Sequence, residues 1–401
     1  MDKITLSCTF FLSIVFFSCI TEAVTYNVID FGAKPDGETD ATYAFLKAWA
    51  SACNSGSGSG SGSDSNLGLT IYIPKGTYMI NAAKFRGPCK DQIDVRIDGT
   101  LVAEPPVDYS DDAGNSGYWI LFINVDRLRV IGGTLDGKGT NFWECKSSGQ
   151  NCPTRARSIT FNWANDIVID GLTSINSQLM HLVINSCSNV KVQNVKIIAP
   201  ALSPNTDGIH VQSSTRVTIT ESNIQTGDDC ISIGPGTTNL WMDSIHCGPG
   251  HGVSIGSLGR NFNEEGVENV TLRNSVFNGS DNGLRIKTWA RPSNGFVRNI
   301  HYQNITMNNV GNPIIIDQNY CPNNQSCPAQ SSGIEIEKVW YENIQGTSTT
   351  EVAMIFDCSP SNPCRGIKLQ DVNLTYMNRT KALSVCNNIG DDAILPDTCI
   401  S

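Results

Sequence analysis

The chain has 401 residues, with 38 acidic against 28 basic side chains and a formal net charge of −10. That balance argues against nucleic acid as a partner, and it requires any anionic ligand to be met by positive charge assembled locally. The length would suggest two or three domains unless internal repeats account for it.

Lys3, the apolar run "FFLSIVFFSCI" and the Thr21-Glu22-Ala23 boundary read as a secretory signal peptide over residues 1–23. The run is short for a bilayer span and no later stretch approaches its length, so residues 24–401 are expected to be soluble and exported, with no membrane association. Of 15 cysteines, Cys8 and Cys19 leave with the signal and 13 meet an oxidising compartment. Close spacings suggest the pairs Cys145–Cys152, Cys321–Cys327, Cys358–Cys364 and Cys386–Cys399. Cys230–Cys247 and Cys53–Cys89 follow, leaving Cys187 as a buried spare thiol. Sequons stand at Asn269, Asn278, Asn304, Asn324, Asn373 and Asn378.

"DATYAFLKAWASAC" is the one stretch with helical patterning, and it is expected to cap the open end of whatever follows. The Gly-Ser run from Ser55 to Ser63 reads as a flexible loop beside it. After coils expected at "IDVRIDGTL" and "RLRVIGGTLDG", a repeat becomes plain: "NDIVIDGLTSI", "NVKVQNVKI", "RVTITESNI", "NLWMDSI", "NVTLRNSVF", "NIHYQNITM", "KVWYENI" and "GIKLQDVNL". Their first apolar positions, from Ile167 to Ile367, recur at roughly 23 to 39 residues. Short β-branched strands at that period, with Asn and Gly at the turns, predict an all-β, single-domain right-handed parallel β-helix.

Each repeat carries a second strand: "MHLVI" from Met180, "DGIHV" from Asp207, "DCISI" from Asp229, "HGVSI" from His251, "NGLRI" from Asn282 and "NPIII" from Asn312. Equivalent positions of successive coils stack at about 4.8 Å. Asp207, Asp229, His251 and Asn282 therefore form a column, with Arg285 and Lys287 projecting from the outer face beside it. Strand parity would turn Asp229 into the core, where an unpaired carboxylate is costly, so a bend at Gly227 is expected to release both Asp228 and Asp229 into the groove. Crowding of three carboxylates raises the proton affinity of at least one, which suits hydrolysis of a glycosidic bond. Taken singly, Asp207 is a turn aspartate, Asp228 with Asp229 a solvated turn or calcium site, and Arg285 with Lys287 surface charges; their coincidence in one column favours a catalytic reading. His181, His210, His246 and His301 lack metal-ligand spacing and read as structural. The tryptophans read as core or cap residues, with Trp289 the one placed to touch sugar.

"NTDG" at Asn205 to Gly208, "GDDC" at Gly227 to Cys230, "GHG" at Gly250 to Gly252 and "RIK" at Arg285 to Lys287, in that order, resemble the polygalacturonases, glycoside hydrolases of family 28. The resemblance extends to "FGAKPDG" and "IYIPKGTY" and so covers nearly the whole of residues 24–401. It implies that Asp228 is the general acid, that Asp229 and Asp207 activate water, and that His251 supports the acid. It also implies that Arg285 and Lys287 bind a substrate carboxylate, and that Asn205 and Tyr320 contact the sugar. The implied reaction is hydrolysis of α-1,4 linkages in galacturonan with inversion, by a monomer, without metal or cofactor. Inverting enzymes hold acid and base about 6.5–9.5 Å apart, wider than one rung.

The wording of "GLRIKTW" and "NPIIIDQNYC" is most similar to plant pollen-type exo enzymes, and insertions at "KSSGQNCPTRA" and "DQNYCPNNQSCPAQSSG" are candidates to block one groove end. The alternatives are an endo enzyme, a rhamnogalacturonan or xylogalacturonan hydrolase, a calcium-dependent pectate lyase, and a non-catalytic wall protein.

Overall fold

The computed structural model describes residues 24–55, 68–104, 117–149, 152–322, 326–377, 379–394 and 399–400. The signal peptide, most of the Gly-Ser run and the sequons at Asn324 and Asn378 lie outside the described residues. The described strands form two long sheets that share the rungs of a right-handed parallel β-helix. One sheet has its 12 strands in strict chain order, from Ala83–Arg86 through Tyr118–Ile123, Arg157–Asn162 and Leu182–Asn185 to Cys399–Ile400. The larger sheet is built from the repeat recognised in the sequence.

Register explains why the repeat holds. Ile167, Val190, Val217, Leu240, Val270, Ile300, Val339 and Ile367 are Cα partners rung by rung. All of them are buried. Leu182, Ile209, Ile231, Val253, Leu284 and Ile314 form the facing stack from the other sheet. β-Branched side chains fit this geometry because each one packs on its equivalent in the next coil. Bends within the long strands are set by left-handed asparagines that stack from rung to rung; Asn269 Nδ2 donates to Asn239 Oδ1 and Asn299 Nδ2 to Asn269 Oδ1, each at 3.2 Å.

Helix α1, Thr42–Asn54, closes the N-terminal end as expected. Its Phe45, Ala48, Trp49 and Ala52 are buried, and the Trp49 ring meets Phe85 at 5.3 Å and Phe122 at 5.4 Å. The disulfide Cys53–Cys89 pins its last turn. A second helix, α2 (Thr140–Ser147), stands where the sequence suggested no helix, and its last two residues open the insertion "KSSGQNCPTRA". It is two turns long and weakly amphipathic, and it is held by burial of Phe142 and Trp143 instead of by an apolar stripe. Among the described residues the disulfides are the expected six, and Cys187 is the buried free thiol. No helix among them is long and apolar enough to cross a membrane.

Candidate active site

The 12-stranded sheet carries a groove of about 750 Å³ on its outer face, within the range of ligand sites. Asp207, Asp228 and Asp229 line it, from the turns that precede Ile209–Gln212 and Ile231–Ile233. The bend at Gly227 exists, and its cause is close approach: a Cβ there would sit 2.2 Å from the Ser203 carbonyl oxygen. Beyond it the Asp228 carbonyl accepts from the His251 amide at 2.7 Å, and the Asp229 carbonyl from the Gly208 amide at 2.9 Å, so rung pairing resumes at once. Gly252, at φ +87°, lets the next rung approach the Asn282 carbonyl in the same way.

Asp229 is 1% exposed, yet it is not stranded. Lys287 Nζ lies 2.8 Å from Oδ2 and Arg285 Nη2 2.6 Å from Oδ1, and Ser254 Oγ donates to Oδ1 at 2.8 Å. Burial opposes its charge, but Lys287 and Arg285 outweigh burial and hold the carboxyl down at about 2. The two basic residues expected to hold a substrate carboxylate are thus spent first on an internal one. Tyr320 completes this corner, its ring 5.4 Å from Lys287 Nζ and edge-on to Trp289.

Asp228 is held differently. His251 Nδ1 is 3.1 Å from Oδ1, the Asp229 amide donates to Oδ1 at 2.8 Å, and Asn205 offers Oδ2 its backbone amide at 3.2 Å and its side-chain amide at 3.3 Å. Burial resists ionisation, yet the hydrogen bond to His251 leaves the carboxyl below its ordinary value, and the same bond raises the imidazole. The pair titrates as a unit, with its proton on or near His251. The carboxyl whose proton affinity rises is Asp207, pushed up to about 7 by burial and then by the charges of Asp228 and Asp229. The sequence argument foresaw such a group; the structure assigns it to Asp207 and not to the expected acid.

Asp228, Asp229 and His251 offer ligand atoms within 4.8 Å of one another, close enough for a metal ion. A cation there would have to compete with Lys287 and Arg285 for both oxygens of Asp229. Asp228 and Asp229 are also closer together than the usual acid and base of an inverting hydrolase.

Some groove residues escaped sequence reasoning. Trp163, read as core or cap, is 55% exposed and lines the groove; its left-handed backbone, φ 50°, turns it outward, and no periodicity signals that. Trp289 instead packs on Tyr320. His210, read as structural, also lines the groove, with Nδ1 2.8 Å from Ser232 Oγ. Lys84, Arg157 and Arg260 add positive charge along the groove. His181 fits its structural reading: it is fully buried, 2.8 Å from Ser174 Oγ, and burial lowers it to about 3.

Comparison with known proteins places this geometry in a family. The profile of glycosyl hydrolases family 28 matches residues 65–395, and that of rhamnogalacturonase A/epimerase, pectate lyase-like, matches residues 25–93. A polygalacturonase of Prunus persica is 52% identical over 399 residues, covering 98% of each chain. An exopolygalacturonase of Platanus acerifolia is 41% identical over 91% of this chain and 94% of its own. Among solved structures, endo-xylogalacturonan hydrolase from Aspergillus tubingensis superposes with a TM-score of 0.73 at 22% identity, covering 95% of this chain and 99% of its own. A Thermotoga maritima exopolygalacturonase gives 0.69 at 18% identity, covering 93% and 89%. These two establish the shared fold.

Proposed function

The chain belongs to glycosyl hydrolases family 28 and is a pectin-degrading glycoside hydrolase, and from that premise we propose that it cleaves α-1,4-galacturonosyl linkages with inversion, in exo fashion, releasing galacturonate. The observation that carries the proposal is the split among three crowded carboxyls: Asp229 locked as an anion, Asp207 retaining a proton, and Asp228 sharing one with His251.

In this mechanism Asp228 delivers a proton to the glycosidic oxygen as the C–O bond breaks, and His251 restores it. A water held by Asp229 and Asp207 attacks the anomeric carbon from the opposite face and passes its proton to Asp229, the one of the two that is held as an anion, while the protonated Asp207 orients the water. The sum is addition of one water across the bond. Direct attack by Asp229 is disfavoured because both its oxygens already accept from Lys287, Arg285 and Ser254, which supports inversion over a covalent intermediate. Donors of Arg285 and Lys287 that Asp229 does not use, with Asn205 and Tyr320, contact the sugar. The exo preference is supported by the insertion "KSSGQNCPTRA", whose Arg155 docks on Pro204 and Asn205. Residues 1–23 act as an export signal, and the six disulfides suit a monomer working in the cell wall.

A second reading has one observation behind it: Asp207, the carboxyl raised to about 7, is the proton donor and Asp228 the base. A product time course on polygalacturonic acid with chelator present, comparing wild type, Asp228→Asn and Asp207→Asn, tests the function. Saturated monogalacturonate, first formed as the β-anomer, is expected from wild type, with a loss of roughly 10²–10⁴ in either variant. Early mixed oligomers would make the enzyme endo, and unsaturated or chelator-sensitive products would make it a lyase. An aryl galacturonide with a good leaving group then separates the readings, because only the variant lacking the acid keeps activity on it.

A further inference from the structure

Asn205, next to Asp228, is approached from outside the β-helix by two cations. Lys146, in the last turn of α2, donates from Nζ to Asn205 Oδ1, and Arg155 Nη2 donates to the same oxygen at 3.3 Å. A second Arg155 nitrogen, Nη1, bonds the Pro204 carbonyl at 3.2 Å. The Cys145–Cys152 disulfide ties the last turn of the helix to the segment that carries Arg155, which keeps the two cations on the same side of Asn205.

Loss of solvent lowers the proton affinity of both Lys146 and Arg155, and at Lys146 the like charge of Arg155 adds to it while the Asp228 carboxyl opposes it. Among the described residues neither forms an ion pair, in contrast to Arg285 and Lys287, which both pair with Asp229. Such an arrangement is relieved by an anion, and a guanidinium with an ammonium beside it suits a carboxylate.

We propose that Lys146 and Arg155 form a carboxylate-binding site on the Asn205 side of Asp228, which holds a uronate of the substrate next to the sugar being cleaved. The site rests on the galacturonan reading above. It makes the disulfide-bonded insertion a specificity element, and it assigns recognition of the anionic sugar to residues outside the repeat. Esterifying that carboxylate removes the charge the site pairs with, so binding at this position discriminates free acid from methyl ester.

The test is equilibrium binding of trigalacturonate and of its methyl ester to protein carrying Asp228→Asn, which spares the ligand, with Lys146→Gln, Arg155→Gln, both, or Arg155→Lys added. Trigalacturonate binding is expected to weaken roughly tenfold or more in the double variant, to recover in part with Arg155→Lys, and to lose part of its salt dependence; methyl ester binding stays unchanged. Equal loss on both ligands, or no loss, overturns the proposal and leaves the two cations as residues that only orient Asn205. Hydrolysis by protein with Asp228 intact is scored separately. If it cleaves no galacturonan the functional reading fails, while the binding arms still decide the site.

Discussion

Asp207→Asn preserves the shape of the most protonated carboxyl and removes its titration. In the native state Asp207 keeps its proton up to about 7, against 3.8 for an ordinary aspartate. A raised native value means that folding takes up a proton, so this contribution is complete below about pH 4 and is lost as pH rises to 7. Each unit is worth about 1.36 kcal/mol, so the interval of about three units amounts to roughly 4 kcal/mol. Asp229, held at about 2, has the opposite sign: its contribution is present above 3.8 and is lost as pH falls toward 2. Wild type should therefore be most stable near pH 4 and weaken steadily to pH 7, whereas Asp207→Asn should lose that slope and end about 4 kcal/mol more stable at pH 8. Urea unfolding midpoints for both proteins from pH 3 to 8 measure the difference. The same fall between pH 4 and 7 in both proteins would refute the assignment of the crowding to Asp207.

Lys287→Met removes one of two cations from a carboxylate that is 1% exposed and should destabilise the fold by about 3 kcal/mol. The deficit should shrink below pH 3, where Asp229 takes up a proton and needs no partner; urea unfolding across that range reads both. Cys187 is 3% exposed, its thiol pushed up to about 11 by burial, so iodoacetamide at pH 8 should leave the folded protein unlabelled and label one cysteine in the unfolded, unreduced chain. Mass spectrometry showing native-state labelling would contradict the packing.

The parts legible in the sequence are those that repeat. Register multiplies one pattern over many coils, so Ile167 and Ile367, 200 residues apart, announce the same position, and a strand offset places Asp207, Asp229 and His251 in one column before any coordinate is known. Cysteine pairing was legible for a related reason, because loops of 6 or 7 residues leave few partners within reach. Helix α2 was not, since two turns anchored by Phe142 and Trp143 have no period to detect. Trp163 was missed because its exposure depends on a single left-handed residue. Parity correctly put Arg285 and Lys287 on the outer face, but parity carries no information on which anion lies nearest, and the nearest is Asp229.

That last point bears on how a chain of net charge −10 handles a polyanion. Bulk repulsion acts over a Debye length of about 8 Å at physiological salt, so charge on the far face of the solenoid contributes little within the groove. What the substrate meets is local: Lys84, Arg157 and Arg260 along the groove, and Lys146 with Arg155 beside Asn205. The three carboxyls proposed to be catalytic would oppose this field if all were ionised. Their arrangement limits that opposition, because Asp229 is cancelled by two cations, Asp228 by the His251 proton, and Asp207 by its own. Carboxyl chemistry and capture of an anionic polymer thus share one groove because the proteinʼs own cations and protons neutralise the acids before the substrate arrives.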